Sequence, residues 1–425
     1  MINLTEEQAK AVDAIAKWYY FKNNEPLVVV GAGGTGKSSI ISTFIEILGL
    51  SSFTTAFVTF TGKAASVLIK KGNKRAKTIH QLIYDPELDK DGNIIGFKKK
   101  QRLTEALNLI VVDEYYMVDD AIMTDILSYG VPVICLGDKY QLPPPSGKIN
   151  SLAKRKPDIE LTQILRQAKD SPIIYLATKA RNHERIRVGN YGDNVRVISK
   201  DSLTSEDLKF MMTADQIICG KNDTVKKLNN FYRRKFLKID PELTLPQLGE
   251  KLICLRNNWN IKFNVNNFDI NLVNGLGLKY IKHSAFDGPD YNKFDECGSF
   301  YAVPDFAEPS DITISNISLI HYDGLAFKYG LFSDAEIKDE KNIAEYGYAE
   351  VLKKRKYFGS MNKSAYNNYN LLNYGYAITT HKSQGSSWNK VFLLFEPFSS
   401  PSKDLYWQQL YTGISRAETE LVLAI

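Results

Sequence analysis

The sequence predicts an α/β protein with two parallel-sheet units, and three observations carry that expectation. The opening stretch alternates helical segments with short apolar runs: Leu27-Val28-Val29-Val30, Ala56-Phe57-Val58, Leu109-Ile110-Val111-Val112 and Val133-Ile134-Cys135-Leu136. Runs apolar on both faces suit parallel strands covered by helices, whereas a strand with one wet face would alternate. The same signature returns at Gln216-Ile217-Ile218-Cys219, Val391-Phe392-Leu393-Leu394-Phe395 and Leu421-Val422-Leu423-Ala424, which implies a second α/β unit split across the C-terminal half. Two segments break the rhythm. Between Tyr84 and Lys100, the turn signal Lys90-Asp91-Gly92-Asn93 joins short extended arms, as a hairpin requires. A longer stretch, about Leu245 to Asn373, is rich in Asn and Tyr and poor in helical periodicity. So long an insertion calls for a core of its own.

These breaks place a first α/β domain at 1–83 and 101–170, with the hairpin inserted at 84–100. They place a second domain at 171–244 and 374–425, interrupted by a β-domain at 245–373. The length of 425 residues allows about three folding units at roughly 150 residues each. With 54 basic and 48 acidic side chains the net charge is +6, too small to imply nucleic acid alone but compatible with a local basic track. Hydrophobic residues at 44% and charged residues at 24% exclude a disordered chain. No apolar run approaches the ~18 residues of a membrane span, and the acidic, polar start at Thr5-Glu6-Glu7-Gln8 is unlike a signal peptide. Cys135, Cys219, Cys254 and Cys297 lie far apart without a CxxC pair, which argues against a metal cluster or disulfide framework. The expectation is a soluble, cytoplasmic protein, in the host cytoplasm if a phage encodes it.

The chemistry begins at Gly31-Ala32-Gly33-Gly34-Thr35-Gly36-Lys37-Ser38. This Gly-x-x-x-x-Gly-Lys-Ser loop follows an expected strand and opens an expected helix, the context a phosphate loop requires. Glycines let the backbone fold tightly, with the amides of Gly33, Gly34, Thr35 and Gly36 turned toward phosphate. Lys37 would reach the β- and γ-phosphates, and the Ser38 hydroxyl would ligate Mg²⁺. Val111-Val112-Asp113-Glu114 puts two carboxylates at a strand's carboxyl end, where open α/β sheets bind ligands. Asp113 would hold Mg²⁺ and Glu114 would polarise the attacking water. After the next run, Gly137-Asp138-Lys139-Tyr140-Gln141-Leu142-Pro143-Pro144 presents Gln141, which can bond a γ-phosphate or its water.

Taken together these motifs resemble the superfamily 1 helicases, and within them the RecD/Dda-like branch, in order and spacing over most of the chain. Leu4-Thr5-Glu6-Glu7-Gln8 resembles the leading motif whose glutamine, here Gln8, reads adenine. Thr61-Gly62-Lys63-Ala64-Ala65 and Lys77-Thr78-Ile79-His80-Gln81-Leu82 match the DNA-contacting motifs of the first motor domain. Leu161-Thr162-Gln163-Ile164-Leu165-Arg166-Gln167 is similar to the motif of the first γ-phosphate arginine, Arg166. Tyr376 to Ser386, with Thr380-His381-Lys382, is similar to the motif that couples DNA and nucleotide, and Tyr411-Thr412-Gly413-Ile414-Ser415-Arg416-Ala417 to the final motif, whose Arg416 completes the ATP site. Leu252 to Asn258 with Val273-Asn274-Gly275 resembles the start of a small β-barrel inserted in the second motor domain, except that Leu276 stands where the family carries an acid.

The resemblance implies two RecA-like domains, a phage-Dda-like scale, ATP and Mg²⁺ as ligands, and 5′ to 3′ travel on single-stranded DNA. Its DNA contacts fall on Thr61, Lys63, Thr78, His80, Thr380, His381 and Lys382. Basic stretches at Lys70-Lys71, Lys74-Arg75, Lys98-Lys99-Lys100-Arg102 and Lys353-Lys354-Arg355-Lys356-Tyr357-Phe358 suit phosphates, with aromatic rings for bases. Phe97 on the returning hairpin arm is the expected wedge at the terminal base pair. The expected function is therefore an ATP-dependent DNA helicase, monomeric, acting on single-stranded and forked or tailed duplex DNA beside replication or single-strand-binding proteins. Two other classes compete: a DNA-stimulated ATPase that remodels protein–DNA complexes, and a RecD-like subunit of a nuclease complex.

Overall fold

The computed structural model describes residues 4–21, 25–70, 72–73, 75–88, 94–144, 150–164, 171–239, 246–255, 258–265, 268–283, 297–305, 318–323, 372–399 and 402–425. The chain divides into two compact units. Met1–Asp85, Lys98–Val225 and Ala377–Ile425 form the first, and Pro86–Phe97 with Lys226–Tyr376 form the second. Among the described residues no helix is long and apolar enough to cross a membrane.

The first unit opens with α1 (Glu6–Tyr20), β1 (Leu27–Gly31), α2 (Lys37–Ile47), β2 (Thr55–Thr59), α3 (Gly62–Lys70), β3 (Lys77–Thr78) and α4 (Ile79–Ile83). The hairpin arms β4 (Tyr84–Leu88) and β5 (Ile94–Lys99) follow, then β6 (Leu109–Asp113), α5 (Asp120–Leu127), β7 (Val133–Gly137), α6 (Ser151–Lys154) and β8 (Ile159–Leu161). Six of these strands make one sheet in the order β3-β2-β6-β7-β1-β8, with every neighbouring pair parallel. Alternation along each strand splits its apolar residues between two cores. Val28, Val30, Ile110, Val112 and Cys135 pack with Ile79, Ile83 and Ile126 on one face. Val29, Val111, Ile134 and Leu136 meet Ile15, Ile40, Ile41 and Phe44 on the other. This is why the runs are apolar throughout; each fully buried aliphatic side chain contributes about 1.5–3 kcal/mol.

The chain continues through α7 (Pro172–Arg181), β9 (Gly189–Asn190), β10 (Val195–Ile198), α8 (Ser205–Thr213), β11 (Gln216–Cys219) and α9 (Asn222–Lys235). The strands β12 (Lys251–Cys254), β13 (Asn258–Val265), β14 (Phe268–Leu272), β15 (Gly277–His283), β16 (Cys297–Pro304), β17 (Ser318–Asp323) and β18 (Leu372–Tyr374) come next. It ends with β19 (Ala377–Thr379), α10 (Thr380–Ser383), β20 (Trp388–Leu394), α11 (Lys403–Ile414) and β21 (Ala417–Ala424). The second sheet, also in the first unit, runs β19-β11-β20-β21-β10-β9. It is parallel except for the edge pair β10/β9. The molecule thus contains the two RecA-like sheets expected of it.

The second unit has its own core of Leu252, Phe263, Ile270, Leu272, Leu278, Tyr280 and Leu372. Its strands form an antiparallel sheet ordered β17-β16-β15-β12-β18 and a separate ribbon β13-β14. Among the described residues these strands form no closed barrel. The unit also begins earlier than the break near Leu245 suggests. The C-terminal half of α9 packs into it, with Asn229 Nδ2 donating to the Tyr374 carbonyl at 3.0 Å. Arg233 makes a buried two-pronged ion pair with Glu250, at 2.8 and 3.1 Å. A buried charge left without its partner would cost roughly 3–5 kcal/mol, so this pair ties the helix to the β-core.

Candidate functional site

At the end of β1 the chain turns through the glycine-rich loop. Gly34 and Gly36 take φ of 81° and 84°, a left-handed backbone that glycine adopts without a Cβ clash. At Gly31 there is no room for a side chain, since a Cβ would lie 2.5 Å from Thr35 Oγ1. Gly36 opens α2 without any side-chain cap, so the helix's first amides stay available to an anion. Lys37 Nζ donates to the carbonyls of Gly31 and Ala32, at 2.5 and 3.2 Å, which spans the concavity that a phosphate would fill. Gln8 braces the loop. Its Nε2 donates to the Thr35 carbonyl at 3.1 Å, and its Oε1 accepts the Thr5 amide at 3.0 Å. The Thr5-x-x-Gln8 pattern is therefore also a capping box for α1.

The neighbouring strand ends supply the acids. In the order β6-β7-β1 the sheet aligns Asp113 and Glu114, then Asp138 to Gln141, then the loop. Glu114 sits in the left-handed region at φ 52°, and its amide donates to Asp113 Oδ1 at 3.0 Å. Gln141 Nε2 donates to Glu114 Oε1 at 3.4 Å. Desolvation, then the Asp113 charge, push the Glu114 carboxyl up to about 7, against the opposing pull of Arg416 and Lys37. A carboxyl held there can take a proton near neutral pH.

The second sheet closes the site. Arg416 is buried at the start of the turn into β21. Its Nε donates to the Thr412 carbonyl at 3.0 Å, its Nη1 to Ser386 O at 3.0 Å, and its Nη2 to Ser415 Oγ at 2.9 Å. Burial lowers its pKa while Glu114 supports its charge. Residues that the motif reading passed over join the two sheets here. Tyr411, Thr412 and Gln384 bond to Gly33, Asp138 and Leu142. Arg166 lies outside the described residues.

The residues expected to meet DNA divide. Thr78 and Thr380 are 2% and 1% exposed. The Thr78 hydroxyl accepts the Gln81 amide and caps α4, and that of Thr380 donates to the Cys219 carbonyl at 3.1 Å. Both hydroxyls hold their motifs in shape. Thr78-x-x-Gln81 is itself a capping box, a signal legible in the sequence. Thr61 Oγ1 accepts the Ala64 amide at 3.2 Å, while Lys63 Nζ lies 4.8 Å from the Trp388 ring centre. His80 packs against Phe60 and Tyr84, and His381 stacks on Phe398 at 5.1 Å. Burial depresses the pKa of both imidazoles, so both are neutral at pH 7. Lys382 is half-buried beside His381, within α10.

The basic track is also partly spent. Arg75 and Lys77 pair with Glu105 at 3.5 and 2.6 Å. Lys99 pairs with Asp125 at 3.1 Å, and Lys100 donates to the Gln81 and Leu82 carbonyls. Lys99 and Lys100 thus anchor the base of the hairpin. Tyr84 Oη donates to Asp125 at 2.5 Å, and Tyr129 Oη to the carbonyls of Ile83 and Lys100 at 3.1 and 2.7 Å. Phe97 is 43% exposed. The hairpin tip, and the basic stretch Lys353 to Phe358, fall outside the described residues.

The fold and this cleft define a phosphate-loop protein built on two RecA-like sheets. Residues 3–202 match the family model of an AAA domain, and residues 374–424 that of the UvrD-like helicase C-terminal domain. The chain is 31% identical over 204 residues to the ATP-dependent RecD2 DNA helicase of Deinococcus radiodurans, a match covering 47% of this chain and 27% of that one. It is 25% identical over 275 residues to the ATP-dependent DNA helicase dda of Enterobacteria phage T4, covering 58% of this chain and 60% of that one. The matches thus span 27% and 60% of the lengths of these two curated relatives. The crystal structure of Bacteroides Pif1 bound to single-stranded DNA shares the fold, with a TM-score of 0.51 at 17% identity over 100% of this chain and 93% of that one. These matches make the chain similar to superfamily 1 helicases in both its N-terminal and its C-terminal parts.

Proposed function

We propose that this chain is an ATP-dependent DNA helicase that travels 5′ to 3′ on single-stranded DNA and opens forked or tailed duplex. The reading rests on one observation: Tyr411, Thr412 and Gln384 of the second RecA-like domain bond to Gly33, Asp138 and Leu142 of the first, beside the Lys37 loop. Hydrolysis chemistry split between two sheets depends on their closure, and closure is the motion a motor needs. Lys37 and the loop amides bind the ATP phosphates, Gln8 reads the adenine, Gln141 orients the water with Glu114 as base, and Arg416, joined by Arg166, stabilises transition-state charge. The exposed Ser38 hydroxyl and the Asp113 carboxylate are hard oxygen donors that suit Mg²⁺. Bound there, the ion neutralises phosphate charge. Thr61, Lys63, Thr78, His80, Thr380, His381 and Lys382 line the strand path, and a monomer in the cytoplasm, beside replication or single-strand-binding proteins, fits this reading. Relatives named as ATP-dependent DNA helicases support it. The test is strand displacement by the purified chain on 5′-tailed, 3′-tailed and blunt duplexes. DNA-stimulated hydrolysis without displacement on any of them would make it a remodelling ATPase instead.

Two further results are expected. If Glu114 is the base, it works as carboxylate, so protonation below its raised pKa of about 7 inhibits. Then kcat/KM for ATP should rise about tenfold per pH unit below that value and level off above it. Glu114→Gln should remove this dependence along with most of the activity; a flat wild-type profile across pH 5.5–8 would assign the base elsewhere. Phe97, exposed on β5, serves as the wedge that stacks on the parting base pair. Phe97→Ala should keep DNA-stimulated hydrolysis and single-strand translocation but lose most duplex unwinding. Unchanged unwinding would move the wedge to Tyr84.

A further inference from the structure

Three side chains of the second sheet reach across the nucleotide cleft, and one of them touches the phosphate loop itself. Tyr411, on α11, is 2% exposed. Its Oη accepts the Gly33 amide at 3.1 Å and donates to Asp138 Oδ2 at 2.6 Å. Asp138 in turn shapes the turn that carries Gln141: its Oδ1 accepts the Tyr140 amide at 3.1 Å, and its carbonyl accepts the Gln141 amide at 3.1 Å. Gln141 then reaches Glu114. The next peptide is gripped from the same side, with the Leu142 amide donating to Thr412 Oγ1 at 2.9 Å and the Leu142 carbonyl accepting from Gln384 Nε2 at 2.7 Å.

We infer that Tyr411 is a positioning residue for hydrolysis: its hydroxyl bridges the phosphate loop to Asp138, and through that turn sets Gln141 against Glu114 only when the second sheet is seated. The inference rests on the ATPase reading above and deepens it. Arg416 supplies charge to the reaction, whereas Tyr411 supplies geometry to residues of the opposite sheet. Opening the cleft withdraws one oxygen from two partners at once, the Gly33 N–H and the Asp138 carboxylate. Both then need water, and the Gln141 turn loses its anchor. Burial and the Asp138 charge hold the phenol well above its ordinary pKa, so it donates its proton throughout the working range. Gln384 and Thr412 extend the same grip to Leu142. Because Gln384 closes the Thr380-His381-Lys382 motif, a strand bound there is linked to the turn through a short run of bonded groups.

The test is Tyr411→Phe, which keeps the ring against Tyr140 and removes only the hydroxyl. A hydrogen bond to a charged group is worth enough to change a rate about 10- to 100-fold. DNA-stimulated kcat should fall by that factor with KM for ATP within about twofold, because Lys37 and the amides at the start of α2 still hold the ground-state phosphates. Asp138→Asn should fall similarly, and the double variant should be little worse than either single one. A packing role for Tyr411 would leave Tyr411→Phe at wild-type kcat, and that result overturns the inference. So does a rise in KM at unchanged kcat, or full multiplicativity of the two substitutions. A wild-type chain without DNA-stimulated hydrolysis would instead remove the ATPase reading, and this inference with it.

Discussion

Lys37→Ala is expected to lower ATP hydrolysis by about 10³-fold or more while leaving single-strand affinity within a few fold. In the structure the Lys37 ammonium spans the Gly31 and Ala32 carbonyls. It is held inside the loop with no bonds to the strand-path residues, so its loss empties the phosphate cradle of its mobile positive charge. The amides at the start of α2 remain and retain weak nucleotide binding. Phosphate release and fluorescence anisotropy with a labelled oligonucleotide separate the two effects. Normal turnover in the variant would remove the loop from the mechanism.

Arg416→Ala should cost far more in turnover than in nucleotide affinity. An arginine that reaches the phosphates from another surface acts on charge that develops in the transition state, with rate effects of roughly 10³–10⁵. Its placement fits: three carbonyl and hydroxyl acceptors of its own sheet hold the guanidinium, and its field reaches Glu114. Those same bonds mean that alanine strands buried acceptors, so Arg416→Lys and a melting curve belong beside it. A lysine fills the space without the planar fork, and should keep the fold while recovering little rate. Lost affinity with unchanged turnover per bound ATP would make Arg416 a binding residue only.

The parallel strands and the phosphate loop were legible in the sequence because each is encoded locally. A strand buried on both faces must be apolar at every position, and β1 and β7 are buried throughout. The loop needs its glycines, lysine and serine at fixed spacing whatever surrounds them. Thr78 and Gln8 show the limit of that approach. Each sits in a motif with a functional meaning, and each is also part of a capping box that consumes side-chain groups. The same four-residue pattern serves both ends, and spacing alone does not separate them. Lys99, one of the hairpin lysines that read as a phosphate track, also pairs with Asp125.

Local encoding accounts for the fold class, the nucleotide loop, the paired carboxylates and the two-sheet plan. The tertiary structure alone decided which groups meet: Tyr411 at Gly33 and Asp138, Thr412 and Gln384 at Leu142, Arg233 at Glu250. These partners lie far apart along the chain, except Arg233 and Glu250, and no periodicity or spacing rule reaches between them. They are selected when sheets and helices pack, because a buried polar group must find a partner in whatever surface arrives opposite it. Which hydroxyl, amide or carboxylate answers that demand depends on the docking of whole elements, and it appears only once they are in place.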